Sequence, residues 1–350
     1  MFEFVLFLTA FLLTYFGVEQ FRRWSAKKRI YDVPNERSSH DAPKPRGGGL
    51  IFVLVSLVFY SVYTIVYKND LEIIYIVGAC MISLISWLDD LFSVSFVWRF
   101  IVHSFAAVLI IYDYGTLIGA YFPYLSESGI KSVEVIFTFC WIVWLTNAYN
   151  FMDGIDGIAA LQAVIAGLGW FFAGKILGID ETAVFGGILA FSCAGFLIHN
   201  WQPAKIFMGD VGSAFLGYTF AVMPLLAKKE IKNESDVLSP VAIFLVWFFL
   251  FDSLYTFFRR LFKGKKVWKA HREHIYQRLV IRGHTHKYVA VLYGILSTFA
   301  GVSVVFWLYA DRRYWWLLLT LFALASLLLL LYGRKETFED SEKEDQSIKR

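Results

Sequence analysis

Residues 132–157 read SVEVIFTFCWIVWLTNAYNFMDGIDG. The first part is an apolar run of about the 20 residues that a helix needs to cross the hydrocarbon core of a bilayer. The second part places amides and carboxylates directly at the end of that run. Carboxylates are costly at a bilayer boundary, so they indicate a site for a cation, a proton or a charged substrate. The stretch therefore predicts both a membrane fold and a functional site.

The composition of the whole chain indicates a membrane protein. Of its 350 residues, 58% are hydrophobic and 18% are charged, whereas about 25% is usual for charged residues in soluble domains. Backbone groups cannot go unpaired in lipid, so each apolar run of this length should form a helix. The fold class is an all-α polytopic membrane protein with about eleven transmembrane helices in one bundle. Eleven runs are found, at 2–20, 47–67, 71–88, 96–112, 132–150, 155–174, 181–199, 211–227, 238–258, 288–310 and 314–332.

The distribution of Lys and Arg predicts the orientation of the bundle. The first run carries Glu3, and its basic residues follow it, so we expect a retained span and not a cleaved signal peptide. With the N-terminus outside and the C-terminus cytoplasmic, 25 of the 33 Lys and Arg residues are cytoplasmic, as the positive-inside rule requires. Residues 1–333 then form a single transmembrane domain, and 334–350 a disordered cytoplasmic tail. The net charge of +4 marks one membrane face and requires no nucleic acid.

Five separate polar segments fall on the predicted cytoplasmic face. Incidental polar residues would scatter over both faces of the membrane. Because these segments all reach the same face, we expect a single active site there. They are the loop 31–49, the pair Asp89-Asp90, the stretch 147–156, Gly209-Asp210 and the His-rich segment 271–286.

The loop 31–49 has the composition of an anion-binding segment. Its three prolines favour an extended path, and its glycine triplet lets backbone N–H groups approach an anion at the start of the second span. The alternative is a basic loop held by lipid headgroups. The candidate substrate-binding residues of this loop are Asn35, Arg37, His40 and Arg46.

Adjacent acids follow the third apolar run. The carboxylates of Asp89 and Asp90 repel each other unless a cation lies beside them. A Mg²⁺ ion or a role in proton transfer would reconcile them. The alternative is that two solvated acids cap the next helix.

Amides and acids recur every three residues after the fifth run, at Asn147, Asn150, Asp153 and Asp156. Residues three apart are neighbours on a helix, so Asp153 and Asp156 can project together if the turn stays helical. The two asparagines could instead serve interhelical hydrogen bonding. The acids make this stretch a candidate for catalysis and substrate binding.

Two later segments complete the predicted site. Asp210 opens the eighth run between glycines, which leave room for a metal or phosphate, although it could be only a helix cap. His271, His274 and Arg278 suit a diphosphate. Zinc is the rival for the two histidines, but no cysteine or acid completes its ligand set. Weaker candidates are Asp252 and the pair Arg99 and His103, for which snorkelling or helix pairing is the alternative.

Taken together, these motifs resemble glycosyl transferase family 4, the bacterial polyprenyl-phosphate N-acetylhexosamine-1-phosphate transferases that start O-antigen, teichoic acid and related glycan assembly. The resemblance covers nearly the whole chain and follows the family's order. The matching motifs are Asp32-x-Pro34-Asn35-x-Arg37-x-x-His40, Pro45-Arg46-x-Gly48-Gly49, Asp89-Asp90, Asn147-x-x-Asn150-x-x-Asp153-Gly-x-Asp156-Gly157, Gly209-Asp210-x-Gly212-Ser213 and the His271 segment.

The chain departs from the family pattern at two positions. Many relatives carry a third acid where this chain has Ser93, and a histidine where it has Glu273. The form His271-Arg-x-His274-x-Tyr-Gln-Arg278 resembles the branch that starts lipopolysaccharide O-antigen, including members that use 6-deoxy N-acetylaminosugars. The muramoyl-pentapeptide branch differs in its first loop and carries a triple-histidine run, so it is the alternative.

The resemblance implies attack by the phosphate of undecaprenyl phosphate on the β-phosphorus of a UDP-N-acetylaminosugar, with UMP leaving, at the bacterial inner membrane. Catalysis would then be mainly positioning and charge neutralisation by Mg²⁺, with Mn²⁺ as an alternative ion. Asp210 is the leading metal ligand, and Asp89 and Asp90 would hold the metal or accept a proton. Asn147, Asn150, Asp153 and Asp156 would position the nucleotide, and His271, His274 and Arg278 the diphosphate.

Two alternatives and the oligomeric state stay open at this stage. A double displacement through an aspartate nucleophile is a different route to the same product. A membrane transporter is the rival outside enzymes, although transporters place ionisable residues near the midplane and often show repeated halves. Assembly as a homodimer is a further expectation that the sequence leaves open.

Overall fold

The computed structural model describes residues 2–32, 42–68, 70–117, 127–231, 235–267, 271–310 and 312–348. Within these ranges the chain is almost entirely helical. A short antiparallel pair, β1 (Tyr31–Asp32) and β2 (Lys44–Pro45), closes the base of the first loop. The helices are α1 (Phe2–Lys28), α2 (Gly49–Lys68), α3 (Ile73–Phe92), α4 (Phe96–Tyr114), α5 (Glu127–Met152), α6 (Ile158–Leu177), α7 (Asp180–Asn200), α8 (Asp210–Glu230), α9 (Leu238–Leu245), α10 (Trp247–Phe262), α11 (Ile275–Ile281), α12 (His286–Tyr309) and α13 (Trp315–Ile348).

The predicted all-α membrane fold is confirmed. In the described part of the chain, ten helices are long and apolar enough to span a membrane. The bent pair α9 and α10 makes an eleventh span if it is counted as one. These spans match the eleven apolar runs of the sequence in order.

Helices α7 and α8 form the centre of the bundle. The most apolar window of α8 is 94% buried, whereas that of α1 or α4 is 22% buried. Helix α8 packs against α3 and α5, and α7 packs against α1 and α6. Small residues allow these approaches, as expected where helices pack in a membrane. A Cβ at Gly217 of α8 would lie 2.6 Å from the carbonyl oxygen of Leu145 in α5.

The ninth predicted span, 238–258, is not one straight helix. It breaks at Val246, and α9 and α10 meet at a bend of 73°. Gln162 of α6 donates a hydrogen bond of 2.8 Å to the Leu245 carbonyl at the break. Because a neighbouring side chain satisfies this freed backbone group, the break is tolerated at membrane depth. The bend carries Asp252 against α11 and α12.

The last helix continues beyond the eleventh predicted span. Its backbone is helical to Ile348, through the segment for which the sequence predicts a disordered tail. The end of this helix is defined by backbone geometry alone. A helix that is polar on all sides is only marginally stable. The disorder of 334–350 and the single-domain assignment of 1–333 therefore stay predictions.

Candidate active site

Asp90 holds the start of α8. Its Oδ1 accepts the backbone N–H of Asp210 at 2.9 Å, and its Oδ2 accepts that of Val211 at 3.2 Å. Gly209 makes this approach possible, because its φ is +79° and a Cβ there would lie 2.4 Å from Oδ2 of Asp90. The Asp90 side chain is 0% exposed. Asp90 thus satisfies two of the N–H groups that every helix leaves unpaired at its N-terminus.

The first loop lies directly against the Gly209-Asp210 segment. Gly48 and Gly49 donate backbone hydrogen bonds to the carbonyls of Phe207 and Met208, at 3.0 and 2.9 Å. A Cβ at Gly49 would lie 2.6 Å from the Cα of Gly212. Two polar segments that the sequence predicts to share a face therefore touch through their glycines.

Two arginines neutralise the three acids of this cluster. Arg46 places Nε 2.8 Å from Asp90 Oδ1 and Nη2 2.8 Å from Asp210 Oδ1. Arg99 places one nitrogen, Nη1, 2.6 Å from Asp89 Oδ2 and 2.7 Å from Asp210 Oδ2. Burial by itself would lower the pKa of Arg46, but Asp90 and Asp210 raise it above its usual range. Arg46 therefore stays charged, and the two guanidinium groups pair with all three acids.

Asp89 and Asp210 are the acids that could hold a metal. Their side chains are 13% and 18% exposed, whereas that of Asp90 is not exposed and both its oxygens accept backbone N–H groups. Among the described residues, no three His, Cys, Asp or Glu side chains form a preformed metal cage. Mg²⁺ is usually bound by one or two carboxylates together with substrate phosphates. Two partly exposed carboxylates on either side of one guanidinium nitrogen fit that donor set.

The stretch 147–157 reaches the same cluster through α8. Asn150 Nδ2 donates to Ser213 Oγ at 3.0 Å, whereas Asn147 Nδ2 turns back to the Val143 carbonyl at 2.7 Å. The carboxylate of Asp153 makes no hydrogen bond to the described residues. Burial, and then the charge of Asp210, raises the pKa of Asp153 well above its usual range. Burial therefore favours the protonated form of the Asp153 carboxyl group.

Asp156, unlike Asp153, has hydrogen-bond and ionic partners among the described residues. Helix α5 ends at Met152 and α6 begins at Ile158, so the turn between the two acids is not helical, and the condition for their joint projection is not met. Asp156 Oδ2 accepts the N–H of Ala204 at 2.9 Å and lies 3.7 Å from Lys44 Nζ. Burial by itself would raise the pKa of Asp156, but His286 and the Ala204 N–H lower it. Asp156 therefore ties the first loop to the loop between α7 and α8.

The His-rich segment is organised by the buried carboxylate of Asp252. Asp252 accepts the backbone N–H groups of Ile275 and Tyr276 at 2.8 and 3.2 Å and the hydroxyl of Tyr293 at 2.6 Å. Its Oδ1 also lies 3.3 Å from Nδ1 of His274. The ring of His274 stacks on that of His271, with centroids 5.1 Å apart. Burial, and then His274, lowers the pKa of His271 to about 4, so this ring is neutral at pH 7.

Glu273 and Arg278 both bind other parts of the protein. Glu273 makes an ion pair with Arg260 and lies 2.9 Å from Lys265. Burial by itself would raise the pKa of Glu273, but these cations lower it. Arg278 Nη2 donates to the Gly333 carbonyl of α13 at 3.1 Å. Arg278 thus fastens α11 to α13, and its predicted contact with a diphosphate stays a prediction.

A cavity of about 380 Å³ joins the His-rich segment to the stretch 147–157. Its polar lining residues are Asn147, Ser253, His271 and His274, and most of its other lining residues are aromatic or aliphatic. Tyr276 closes the connection, because its hydroxyl donates to the Phe151 carbonyl at 2.8 Å. The apolar walls include Phe100, Phe139, Val143, Trp144, Phe151 and Phe257.

The structure brings together most of the predicted site residues. Arg46, Asp89, Asp90, Asn150 and Asp210 form one cluster, and Asn147, His271 and His274 line the adjoining cavity. Asn35, Arg37 and His40 lie outside the described residues. Arg99 and Asp252 rank only as weak candidates in the sequence, because an isolated charge near a helix end is common. Their contacts come from helices that are distant in the chain.

Comparisons with known proteins identify the family of this chain. The sequence model described as glycosyl transferase family 4 matches residues 72–228. A probable undecaprenyl-phosphate N-acetylglucosaminyl 1-phosphate transferase of Bacillus subtilis is 30% identical over 81% of this chain and 79% of its own length. A decaprenyl-phosphate N-acetylglucosaminephosphotransferase of Mycobacterium tuberculosis is 30% identical over 85% and 82%. An undecaprenyl-phosphate alpha-N-acetylglucosaminyl 1-phosphate transferase of Escherichia coli O157:H7 is 29% identical over 93% and 89%. The chain belongs to glycosyl transferase family 4, among the polyprenyl-phosphate N-acetylhexosamine-1-phosphate transferases.

Proposed function

We propose that this protein transfers an N-acetylaminosugar 1-phosphate from a UDP-sugar to undecaprenyl phosphate, in a Mg²⁺-dependent reaction that releases UMP. The observation that carries the proposal is the charged cluster of Asp89, Asp210, Arg46 and Arg99, adjoining an apolar cavity. A reaction between two phosphate-bearing substrates needs charge neutralisation, and a lipid acceptor needs an apolar surface beside it. The names of the matched relatives support the same donor and acceptor classes.

The acceptor would lie along the apolar cavity. Phe100, Trp144 and Phe257 line it, together with the polar residues Asn147 and His271. An isoprenoid phosphate has the same two-part character, with an apolar chain and one anionic end. The phosphate would then face the acids and arginines, where Arg46 remains charged and able to bind it.

The nucleotide diphosphate would lie across the acids and the His-rich segment. Mg²⁺, when bound by Asp89 and Asp210, would neutralise charge that develops on the departing UMP. Asn150 holds Ser213 at the start of α8 and so fixes the wall beside Asp210. Asp153, whose pKa is raised by burial, would hold or release a proton during the transfer. Asp252 keeps the His274 ring in a fixed orientation.

The identity of the transferred sugar and the pathway are parts of the proposal that go beyond the family assignment. The sequence form around His271 favours the branch that starts O-antigen, with N-acetylglucosamine or a 6-deoxy N-acetylaminosugar as the group transferred. The phospho-N-acetylmuramoyl-pentapeptide step is the second candidate. We place the protein in the bacterial plasma membrane with the site on the cytoplasmic side, because 25 of 33 Lys and Arg residues fall there.

The proposal is tested with purified protein in detergent or nanodiscs. The protein receives undecaprenyl phosphate, a panel of UDP-sugars and either Mg²⁺ or EDTA, and the release of UMP is measured. We expect metal-dependent UMP release with at least one UDP-N-acetylaminosugar. Asp210→Asn should abolish it, while the matched variant Asp113→Asn should retain it. Asp113 is the appropriate control because it lies at the other end of α4, 3.6 Å from Lys229. Turnover that resists EDTA would contradict the metal assignment.

A further inference from the structure

We propose that Arg99 is a phosphate-binding residue that rests on the metal ligands while the metal is absent and passes to the nucleotide diphosphate when a divalent cation binds. The inference rests on the proposed function, because it assigns a residue to the metal and phosphate steps of that reaction. It begins from one atom. The Nη1 nitrogen of Arg99 lies 2.6 Å from Asp89 Oδ2 and 2.7 Å from Asp210 Oδ2.

That nitrogen lies between the two partly exposed carboxylates. Asp89 comes from α3 and Asp210 from α8, and a cation between them is held by both helices. A hard divalent cation needs the same oxygens at shorter distances. The guanidinium and the metal therefore cannot both hold that position, and like charges at this range repel strongly.

Arg46, unlike Arg99, would keep a carboxylate partner when a metal binds. Its Nε binds Asp90, and Asp90 caps α8 through backbone N–H groups with or without a metal. Both side-chain partners of Arg99 among the described residues, Asp89 and Asp210, are candidate metal ligands. Metal binding would thus release Arg99 and leave Arg46 in place.

We expect the released guanidinium to bind a phosphate of the substrate. The next residue, Phe100, lines the cavity whose polar lining residues include Asn147 and His271. A planar guanidinium binds phosphate by two parallel hydrogen bonds, which a metal-bound diphosphate would offer. The positive charge removed from the carboxylates would then be placed on the substrate.

The test measures metal and nucleotide binding without turnover. Mn²⁺ serves as the probe metal because its binding can be followed by electron paramagnetic resonance. UMP serves as the nucleotide because it keeps the phosphate of the diphosphate that is attached to the nucleoside. In Arg99→Gln the competing cation is gone, so we expect Mn²⁺ to bind about tenfold more tightly in the absence of nucleotide, the size of one close charge pair. UMP should bind about tenfold more weakly in the presence of Mn²⁺. A residue that only supports the fold would not move the two affinities in opposite directions.

Two further variants make the result decisive. Arg99→Lys keeps the charge and loses the planar fork, so it should bind Mn²⁺ like the wild type and UMP more weakly. Arg22→Gln is the control, because Arg22 pairs with Glu19 on α1, away from this cluster, and both affinities should be unchanged. Unchanged or weaker Mn²⁺ binding by Arg99→Gln would overturn the inference alone. Absence of Mn²⁺ and UMP binding in the wild type would overturn it together with the proposed function.

Discussion

Nδ1 of His274 lies 3.3 Å from Oδ1 of Asp252, although the two residues are 22 positions apart in the chain. The same carboxylate caps the N-terminus of α11 and accepts the Tyr293 hydroxyl. Asp252 is therefore the residue that places the His-rich segment at the cavity, although it touches no part of the cluster of acids that could hold a metal.

Asp252→Asn should weaken donor binding. The amide has one accepting oxygen instead of two, so a buried donor beside it loses its partner, which costs about 1–3 kcal/mol. The His-rich segment then loses its fixed position. We expect KM for the UDP-sugar to rise at least as much as in His274→Ala. Steady-state kinetics in both variants check this. An unchanged KM with a merely lower melting temperature would make Asp252 a residue of the fold alone.

Asp90→Asn and Asp210→Asn should separate stability from chemistry. Asp90 holds two N–H groups of α8 and is 0% exposed, so its substitution should cost about 1–3 kcal/mol of folding free energy. Asp210→Asn should keep the melting temperature near that of the wild type and remove metal-dependent UMP release. Thermal unfolding and turnover are measured on the same samples. Full stability in Asp90→Asn would contradict the capping role.

Gly209→Ala should destabilise the protein more than Gly264→Ala. Both glycines have positive φ, +79° and +65°, so each substitution carries a backbone strain of about 1 kcal/mol. Only at Gly209 does the new Cβ meet a neighbour, Oδ2 of Asp90 at 2.4 Å. Gly264 has open space and is the matched control. Equal losses of melting temperature in the two variants would show that Asp90 yields without cost.

His271 should make the folded protein sensitive to acid. Its pKa in the fold is about 4, against 6.5 for the free side chain, so the unfolded chain binds an additional proton between pH 4 and 6.5. Stability from this residue is thus complete above pH 6.5 and falls as the pH decreases through that window. In His271→Gln the unfolding temperature should fall less between pH 6.5 and 5 than in the wild type. Parallel curves would contradict the buried neutral ring.

The sequence predicts the spans and the shared membrane face well, because hydrophobic length and Lys/Arg bias depend on local composition. Asp89, Asp90, Asn150 and Asp210 could be assigned to one site for the same reason. The bend at Val246 could not be predicted from local sequence. The Leu245 carbonyl that it frees accepts a hydrogen bond from Gln162, which lies 83 residues away in the chain. The bridging position of Arg99 likewise depends on how α3, α4 and α8 pack.

The different surroundings of Asp153 and Asp156 could not be predicted from their spacing either. Their spacing is that of neighbours on a helix, but α5 ends at Met152, before either acid. Asp156 then binds Ala204 and Lys44, whereas the carboxyl group of Asp153 makes no hydrogen bond to the described residues. Whether a periodic pattern continues through a helix end depends on what caps that end.

The fate of the donor's β-phosphate tests the central claim most directly. Purified protein is given undecaprenyl phosphate and a UDP-N-acetylaminosugar labelled with ³²P at the β-phosphate, with Mg²⁺ present. If the protein transfers a sugar 1-phosphate, the label appears in the lipid fraction and the released nucleotide is unlabelled UMP. Release of labelled UDP, with an unlabelled phosphate linkage in the lipid or no lipid product, would contradict the account.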